Sequence, residues 1–248
     1  MSGSGQWLLS HDRYLNWRNT SSSCIFLLYG IMGSGKTTLT SAIVDSFLEE
    51  SSGRAPHAPF AYFYCIKNSA ENERSDPDEI MGSILRQLTF SHGSPSTIHE
   101  RLLQEYERRQ IVAKVDGVEA TRLQTAECVR LILETTAANP AAIVIDALDE
   151  IPCSSRHILL SALNQIVQES LNVVKILVTS RDDSNIQALL HDAVALRIQD
   201  VHTRKDMDGF IRQEVSSAID TRKLLNGIVS DNLKEELVDV LKAGAGEM

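Results

Sequence analysis

The residues with the clearest chemical potential are the eight at positions 30–37, which read Gly-Ile-Met-Gly-Ser-Gly-Lys-Thr. They match GxxxxGK[ST] between an apolar run and a helical pattern, the context that a phosphate-binding loop requires. Backbone amides of a glycine-rich loop and a helix N-terminus supply the converging donors that phosphate oxygens need. An accidental match is expected in about one chain in a hundred of this length. We therefore predict nucleotide contacts from Gly30, Gly33, Ser34, Gly35, Lys36, Thr37 and Thr38.

Two of these side chains have individual chemistry. Lys36 adds a positive charge at the β- and γ-phosphates, and Thr37 supplies a hydroxyl ligand for Mg²⁺. The predicted cofactors are ATP or ADP with Mg²⁺. ATP is favoured over GTP because the sequence contains no NKxD motif for reading guanine.

An acidic group follows a second apolar run, at residues 142–145. Asp146 falls at the C-terminal edge of a predicted buried strand, where ligands bind in open α/β sheets, so we predict that it holds Mg²⁺ with Thr37. Asp149 and Glu150 come next, and either one is placed to orient an attacking water. The alternatives are a capping carboxylate for Asp146 and a solvated turn for the acidic pair.

A third strand with a polar end is residues 175–181, which read Lys-Ile-Leu-Val-Thr-Ser-Arg. We predict that Arg181 reaches the γ-phosphate, because a guanidinium pairs well with phosphate oxygens. A surface salt bridge is the alternative for this side chain. The catalytic candidates are therefore Asp149, Glu150 and Arg181.

These motifs lie on a repeated strand–helix pattern. Short, nearly continuous apolar runs indicate strands that are covered on both faces, and helical patterns separate them. The order predicts an α/β P-loop NTPase fold of the ASCE type, with a parallel sheet of about five strands between helices. The predicted strands are residues 25–29, 60–66, 142–145, 173–178 and 193–198.

Helix signals define the rest of the chain. Asp76 is predicted to cap a helix, with Glu79 closing a capping box, and another helix is predicted near residues 157–171. Thr203 and Ser230 are predicted to cap two later helices that no strand follows. We expect an N-terminal segment, a P-loop NTPase core and the truncated start of a helical subdomain at residues 1–22, 23–200 and 201–248.

Composition limits the function classes. The chain has 248 residues, of which 43% are hydrophobic and 23% charged, and no apolar run approaches the roughly 18 residues of a membrane span. Its start shows no secretory signal, so a cytoplasmic protein is expected. The net charge of −9 repels a phosphate backbone, so nucleic acid is not an expected partner. Without a CxxC pair, we expect reduced core thiols at Cys24, Cys65, Cys128 and Cys153.

The sequence resembles the NACHT branch of the STAND signalling NTPases, particularly the fungal type. The resemblance is carried by GIMGSGKTT from Gly30, IVIDALDE from Ile143 and KILVTSR from Lys175. Supporting matches are GQWLL from Gly5 and FAYFYC from Phe60. Together they cover most of the chain in the order of that family.

The resemblance implies a role for each motif. It assigns phosphate and Mg²⁺ binding to Lys36, Thr37 and Asp146, and it makes Arg181 the sensor of the γ-phosphate. It also implies that the strands before Asp146 and Arg181 lie in the centre of the sheet. Family members carry an effector domain in front and a repeat sensor behind, both absent here, and a full-length protein would form a homo-oligomer on activation.

Two positions refine this expectation. Ala147 stands where faster relatives carry a glutamate, which implies slow hydrolysis, and Trp7 is expected to pack rather than to contact the base. The predicted function is a slow nucleotide-dependent switch in innate-immunity-like or cell-death-like signalling. The alternatives are a nucleotide-stabilised scaffold without turnover and, less favoured, a small-molecule kinase, which should carry an acceptor site and an arginine-rich lid.

Overall fold

The centre of the fold is a parallel sheet. In the computed structural model, which describes residues 5–51, 58–68, 70, 72–90 and 100–245, the strands are β1 (Cys24–Tyr29), β2 (Phe60–Tyr64), β3 (Ala141–Asp146), β4 (Val174–Ser180) and β5 (Val194–Arg197). These described residues form one five-stranded sheet of order β2-β3-β4-β1-β5, in which every pairing is parallel. The predicted fold class is confirmed; β4 is the central strand and β3 lies next to it, so both are interior strands, close to the central placement that the resemblance implied.

Helices cover both faces of this sheet. In the described part of the chain they are α1 (Gln6–Leu9), α2 (Asp12–Asn19), α3 (Lys36–Ser51), α4 (Pro77–Phe90), α5 (Glu100–Asp116), α6 (Thr125–Thr136), α7 (Cys153–Glu169), α8 (Ser184–Leu189), α9 (Asp200–Asp220) and α10 (Asp231–Ala245). Short 3-10 turns lie at Asn72–Ser75, Leu148–Glu150 and Leu225–Gly227. None of the helices described here combines the length and the apolar character that crossing a membrane would require.

Strand side chains alternate between two cores, because successive residues of a strand point to opposite faces. Ile25 and Leu27 of β1 pack into the larger core, to which α4, α6, α7 and α8 contribute. Phe26 and Leu28 pack into the second core, to which α1, α2 and α3 contribute. Burial on both faces explains why the strands read as continuous apolar runs.

The N-terminal helices are part of the second core. Tyr14 and Trp17 of α2 are at most 2% exposed, and their rings lie 6.1 and 5.6 Å from the ring of Phe26. The indole N–H of Trp17 also donates to the carbonyl of Cys24 at 3.2 Å. These contacts hold the start of β1 against α2.

Helices α9 and α10 pack on each other through Ile211, Val215 and Val238. Helix α9 begins before the predicted cap Thr203, so that prediction was wrong: Gln199 and His202 form a capping box at its start. The hydroxyl of Ser230 accepts from the amide of Leu233 at 3.4 Å, and α10 begins one residue after Ser230, as predicted. The division of the chain at residues 22 and 200 stays a prediction.

The start of α4 differs from the predicted capping box. Asp76 accepts from the amide of Asp78 at 3.0 Å, as a cap does. Glu79 instead forms an ion pair with Arg122, from the segment before α6. A charged guanidinium is a stronger partner for a carboxylate than a neutral backbone amide is. The capping bond predicted for Glu79 is therefore replaced by a tertiary contact.

The cysteines are all free thiols, but they do not share one environment. Cys65 and Cys128 are buried and Cys24 is partly buried, whereas Cys153 is exposed. The prediction of a core position is wrong for Cys153, because this residue opens α7 between two other exposed residues, Pro152 and Ser154. Burial raises the pKa of the Cys65 and Cys128 thiols.

Candidate nucleotide-binding site

The loop between β1 and α3 has the shape of a phosphate cradle. Gly33 and Gly35 both have a φ of +80°, a left-handed conformation that favours glycine. A Cβ atom at either position would meet no described heavy atom within 4 Å, so the loop is open there. The first amides of α3 have no partner inside the helix. These donors and this open space fit bound phosphate groups.

Gly30 shapes the loop rather than lining it. Its amide donates to the carbonyl of Ser180 at 3.3 Å and so extends the contact between β1 and β4. An added Cβ atom would lie 2.9 Å from the hydroxyl of Ser34 and 3.2 Å from the Cβ atom of Ile198. A larger residue would therefore push Ser34 out of its place in the loop.

The ammonium group of Lys36 lies against its own loop. Nζ donates to the carbonyls of Gly30 at 2.9 Å and Ile31 at 2.7 Å. A third contact, at 3.3 Å, joins Nζ to the hydroxyl of Ser34. The predicted phosphate-binding cation is thus placed at the loop that would hold the phosphates.

Asp146 is a buried carboxylate held by three hydroxyl groups. It is 3% exposed; Oδ2 accepts from Thr37 at 2.7 Å, and Oδ1 accepts from Thr40 at 2.8 Å and Thr179 at 2.5 Å. Such bonds offset the cost of burying a charge. Because the hydroxyls come from α3 and β4, the carboxylate of β3 ties the phosphate loop to both central strands.

The predicted metal pair, Thr37 and Asp146, is therefore brought into direct contact. Thr40 and Thr179 were not predicted as part of the site. A signal was present for Thr40, because it lies three residues after Thr37 and so on the same helix face. Thr179 lies at the end of β4, beside the end of β3, which only the sheet order reveals.

The three predicted catalytic residues form one ion cluster, defined here as Arg181, Asp149 and Glu150. Arg181 Nε lies 2.9 Å from Asp149 Oδ2, and a terminal nitrogen lies 3.1 Å from Glu150 Oε1. The backbone amide of Arg181 donates to Asp149 Oδ1 at 2.9 Å. The Arg181 side chain is 50% exposed. The salt bridge that was the alternative role of Arg181 is therefore present in the structure. Its partners, Asp149 and Glu150, are the other two predicted catalytic residues.

Lys36 belongs to the same electrostatic site. Partial burial is the main cause that lowers its pKa; Asp149 raises the pKa, Arg181 lowers it and Asp146 raises it. Each of these charges acts on Lys36 because all lie near the C-terminal ends of β3 and β4. The sheet thus brings together residues that stand more than a hundred positions apart in sequence.

A cavity of about 270 Å³ adjoins the loop. Its walls come from α1, the loop, α3 and α9, and they include Trp7, Gly35, Thr38, Leu39, Met207 and Phe210. Trp7 packs on His202 with ring centroids 4.7 Å apart, and the amide of Gly5 donates to Asp206 at 2.7 Å. Trp7 therefore packs on His202 and also lines this cavity, and the expectation that it does not contact the base stays a prediction.

The turn after β3 departs from regular geometry. Ala147 has φ 59° and ψ 53°, a left-handed conformation that costs a residue with a side chain about 1 kcal/mol. Its amide donates to the hydroxyl of Thr179 at 2.9 Å. Arg156 of α7, only 3% exposed, donates to carbonyls of this turn. Sequence reasoning missed Arg156, because a lone arginine in a helix is usually a surface residue.

Comparison with known families places these motifs in context. The family described as Nephrocystin 3, N-terminal, matches residues 3–181, which include the phosphate loop, the acidic turn and Arg181. The chain belongs to this family. No curated protein matches the sequence significantly. The fold and the phosphate loop make this member a P-loop NTPase domain, and the narrower NACHT assignment stays a prediction.

Solved structures resemble this Nephrocystin 3 N-terminal family member only distantly. Cdc6p from Pyrobaculum aerophilum has 14% identity and a TM-score of 0.47, over 84% of this chain and 47% of its own. ORC2 of Aeropyrum pernix, in ADPNP-ADP complexes, has 12% identity and a TM-score of 0.47, over 96% of this chain and 66% of its own. ORC1 of Aeropyrum pernix, in complex with DNA, has 15% identity and a TM-score of 0.45, over 96% of this chain and 62% of its own. The chain spans less than two thirds of each, and similarity this low transfers neither ligand nor partner.

Proposed function

We propose that this chain is an ATP- and Mg²⁺-binding regulatory NTPase module of the NACHT/STAND type, acting as a slow nucleotide-dependent switch in signalling. The observation that carries the proposal is the hydrogen bond between Thr37 and Asp146. It joins the phosphate loop to the carboxylate strand, the combination that holds Mg²⁺ with a nucleoside triphosphate. The family match over all three motifs supports a P-loop NTPase domain, and the NACHT/STAND type rests on the sequence resemblance.

In this proposal the loop amides bind the phosphates, and Lys36 exchanges its carbonyl partners for phosphate oxygens. Thr37 donates its proton to Asp146, so its oxygen keeps lone pairs for the metal. Both Asp146 oxygens already accept hydroxyls, so this carboxylate would act on a bound metal mainly by orienting Thr37. The Mg²⁺ ion, when bound, neutralises charge on the phosphates.

The cavity beside the loop is the proposed site of the base. It adjoins the phosphate loop through Gly35 and Thr38, and its other walls are largely apolar. Ligand sites of this kind are mostly apolar with a few polar groups that fix orientation. Because α1 and α9 both line the cavity, a base bound there would contact α9 and Trp7 of α1, contrary to the sequence expectation that Trp7 only packs.

The ion cluster supports the switch. A ligand shifts an equilibrium only through a difference in its affinity for the two states. The γ-phosphate offers Arg181 a charge-assisted pair that ADP does not offer, so ATP competes with Asp149 and Glu150 for the guanidinium. Release of the two carboxylates leaves them able to orient water. Turnover is expected to be slow because Ala147 stands where, by the resemblance, faster relatives carry a glutamate.

A nucleotide-stabilised scaffold without turnover is the second candidate. The pairing of Asp149 and Glu150 with Arg181 favours it, because both predicted water-orienting groups are engaged. A hydrolysis assay separates the two candidates. Homo-oligomerisation on activation, within a full-length protein that carries effector and repeat domains, belongs to the switch proposal and is drawn from the resemblance alone.

The proposal is tested by calorimetric titration of ADP and a non-hydrolysable ATP analogue with Mg²⁺. Lys36→Ala should abolish binding of both nucleotides. Arg181→Ala should weaken the analogue by about 10- to 150-fold, the factor for one hydrogen bond to a charged group, and leave ADP nearly unchanged. Arg197→Ala is the matched control, because Arg197 is also about half exposed and paired, with Asp182.

Three outcomes are informative. Wild-type protein that binds neither nucleotide rejects the whole proposal. Equal losses of ADP and analogue in Arg181→Ala reject the switch and favour the scaffold. A loss as large in Arg197→Ala would show that the charge of the region, rather than the placement of Arg181, controls affinity.

A further inference from the structure

We propose that Arg156 is a positioning residue that holds together the two turns carrying the ion cluster. It lies in the first turn of α7 and is 3% exposed. Its contacts are with the turn after β3 and the turn after β4, which no sequence motif connects to α7. The consequence for nucleotide sensing rests on the proposed function, whereas the positioning itself does not.

All three nitrogens of the buried guanidinium are engaged. Nε and one terminal nitrogen donate to the carbonyl of Ile151 at 3.2 and 3.0 Å, and that terminal nitrogen also donates to the carbonyl of Asp149 at 3.1 Å. The other terminal nitrogen donates to Asp183 Oδ2 at 2.8 Å. One side chain therefore spans both turns.

Asp183 makes the second turn part of this structure. Its Oδ1 accepts from the amides of Asn185 at 2.8 Å and Ile186 at 3.3 Å and so caps α8, while Oδ2 accepts from Arg156. Arg181 lies two residues before Asp183 on the same turn. The backbone that carries the exposed arginine is thus anchored by the buried one.

The chemistry of the site explains why an arginine occupies it. A planar guanidinium directs donors along several fixed directions and remains charged, whereas an ammonium is a compact point charge. The three acceptors of Arg156, which lie on two separate turns, fit a guanidinium better than an ammonium group. A charge this deeply buried requires a paired carboxylate and further hydrogen bonds, which Asp183 and the two carbonyls supply.

A general contribution to stability is the alternative role, and the two roles differ in where they act. If Arg156 only stabilises the fold, its loss raises local opening throughout the sheet. If it positions the turns, the effect concentrates at residues 147–151 and 181–186. The amide of Arg181 is a direct reporter, because its bond to Asp149 joins the two turns.

Backbone hydrogen exchange of the whole chain, without nucleotide, tests the positioning. In Arg156→Lys we expect exchange about two- to tenfold faster in both turns, the factor for one ordinary hydrogen bond, with β1 and the phosphate loop unchanged. Arg130→Lys is the matched control, since Arg130 lies on α6, is 56% exposed and pairs with Glu134. Unchanged turns, or an equal increase in β1, overturn the proposal.

A second variant guards against failure to fold. Asp183→Asn keeps an oxygen to cap α8, but its amide nitrogen replaces the Oδ2 atom that accepts from Arg156, so both the charge and this acceptor are lost. It should give the same local pattern with a smaller amplitude. Faster exchange confined to α8 would mean that Asp183 acts as a cap alone, which overturns the proposed link between the turns.

Nucleotide titration tests the consequence for sensing. Arg156→Lys should reduce the ratio of analogue affinity to ADP affinity by about tenfold, with ADP affinity unchanged, because Arg181 is displaced while the phosphate loop is not. An unchanged ratio overturns this consequence. If wild type binds no nucleotide, the proposed function fails, whereas the exchange experiment still decides the role of Arg156.

Discussion

Replacing Asp146 by asparagine should weaken Mg²⁺-dependent nucleotide binding more than metal-free binding. The amide oxygen of the variant can still accept from Thr40 and Thr179. Its amide nitrogen, however, would face the Thr37 hydroxyl, where the carboxylate now accepts a hydrogen bond of 2.7 Å. As a donor, that nitrogen occupies a lone pair of the Thr37 oxygen. The substitution thus disables the proposed metal ligand without removing it.

The magnitude follows from the role of Asp146 as the partner of a metal ligand. Loss of such outer-shell partners lowers metal affinity by about 10- to 100-fold, so the gain in nucleotide affinity on adding Mg²⁺ should fall by that factor. The fold should also lose about 1–3 kcal/mol, because a buried charged acceptor is replaced by a weaker one. For a domain of this size that is about 2–12 °C in melting temperature.

Titrations of ADP and ATP analogue, with Mg²⁺ and with a chelator, measure the effect. Thr40→Val is the matched control, because it removes one hydroxyl from the same carboxylate and leaves the bond to Thr37 intact. It should lose stability but keep the Mg²⁺ dependence. If Asp146→Asn loses affinity equally with and without metal, Asp146 is a structural carboxylate and the metal assignment is refuted.

Three further predictions concern the loop, the cavity and the thiols. Gly35→Ala should abolish nucleotide binding at a folding cost of about 1–2 kcal/mol, since its φ of +80° disfavours a side chain; unimpaired titration would contradict this. In Trp17→Phe, which keeps Trp7 at the proposed base site, nucleotide should change the tryptophan emission. In Trp7→Phe, which keeps only Trp17, it should not. The reverse result would place the base elsewhere. A thiol reagent should modify the exposed Cys153 first. Burial raises the pKa of Cys128 to about 12, so this thiol should react only on unfolding. Modification of both thiols at the same rate would argue against the burial of Cys128.

The sheet could be predicted from sequence because its signals are local and consistent. Continuous apolar runs identified every strand of the described sheet, and the phosphate-loop pattern fixed the junction of β1 and α3. Strand ends were predicted less accurately. The predicted strand at residues 60–66 ends at Tyr64, because the amide of Ile66 donates to Arg74 in a 3-10 turn instead of continuing the pairing with β3.

Other features required tertiary contacts that no pattern records. Helix α2 is short and mostly polar, so nothing in its sequence shows that Tyr14 and Trp17 are buried. The predicted site residues Thr37 and Asp146 do meet, but Thr179 joins them only because β3 and β4 are neighbours. Arg156 could not be predicted as a buried residue, because an arginine is usually exposed. Only the acceptors around it, which the sequence does not show, allow its burial.

Two buried charges brace the same edge of the sheet, and this bears on how a nucleotide could act. Asp146 binds β3 to α3 and β4 through hydroxyls, and Arg156 binds the turns after β3 and β4 through carbonyls and Asp183. Displacing either charge leaves a buried group without its partner, which costs more than the bond itself contributed. Arg181, by contrast, is half exposed, and breaking an exposed ion pair costs only about 0–1 kcal/mol. A γ-phosphate at the loop would therefore move the Arg181 side chain before it moved either strand. The first conformational response to ATP should accordingly be a change of partner within the ion cluster, on a backbone that Arg156 and Asp146 keep in place.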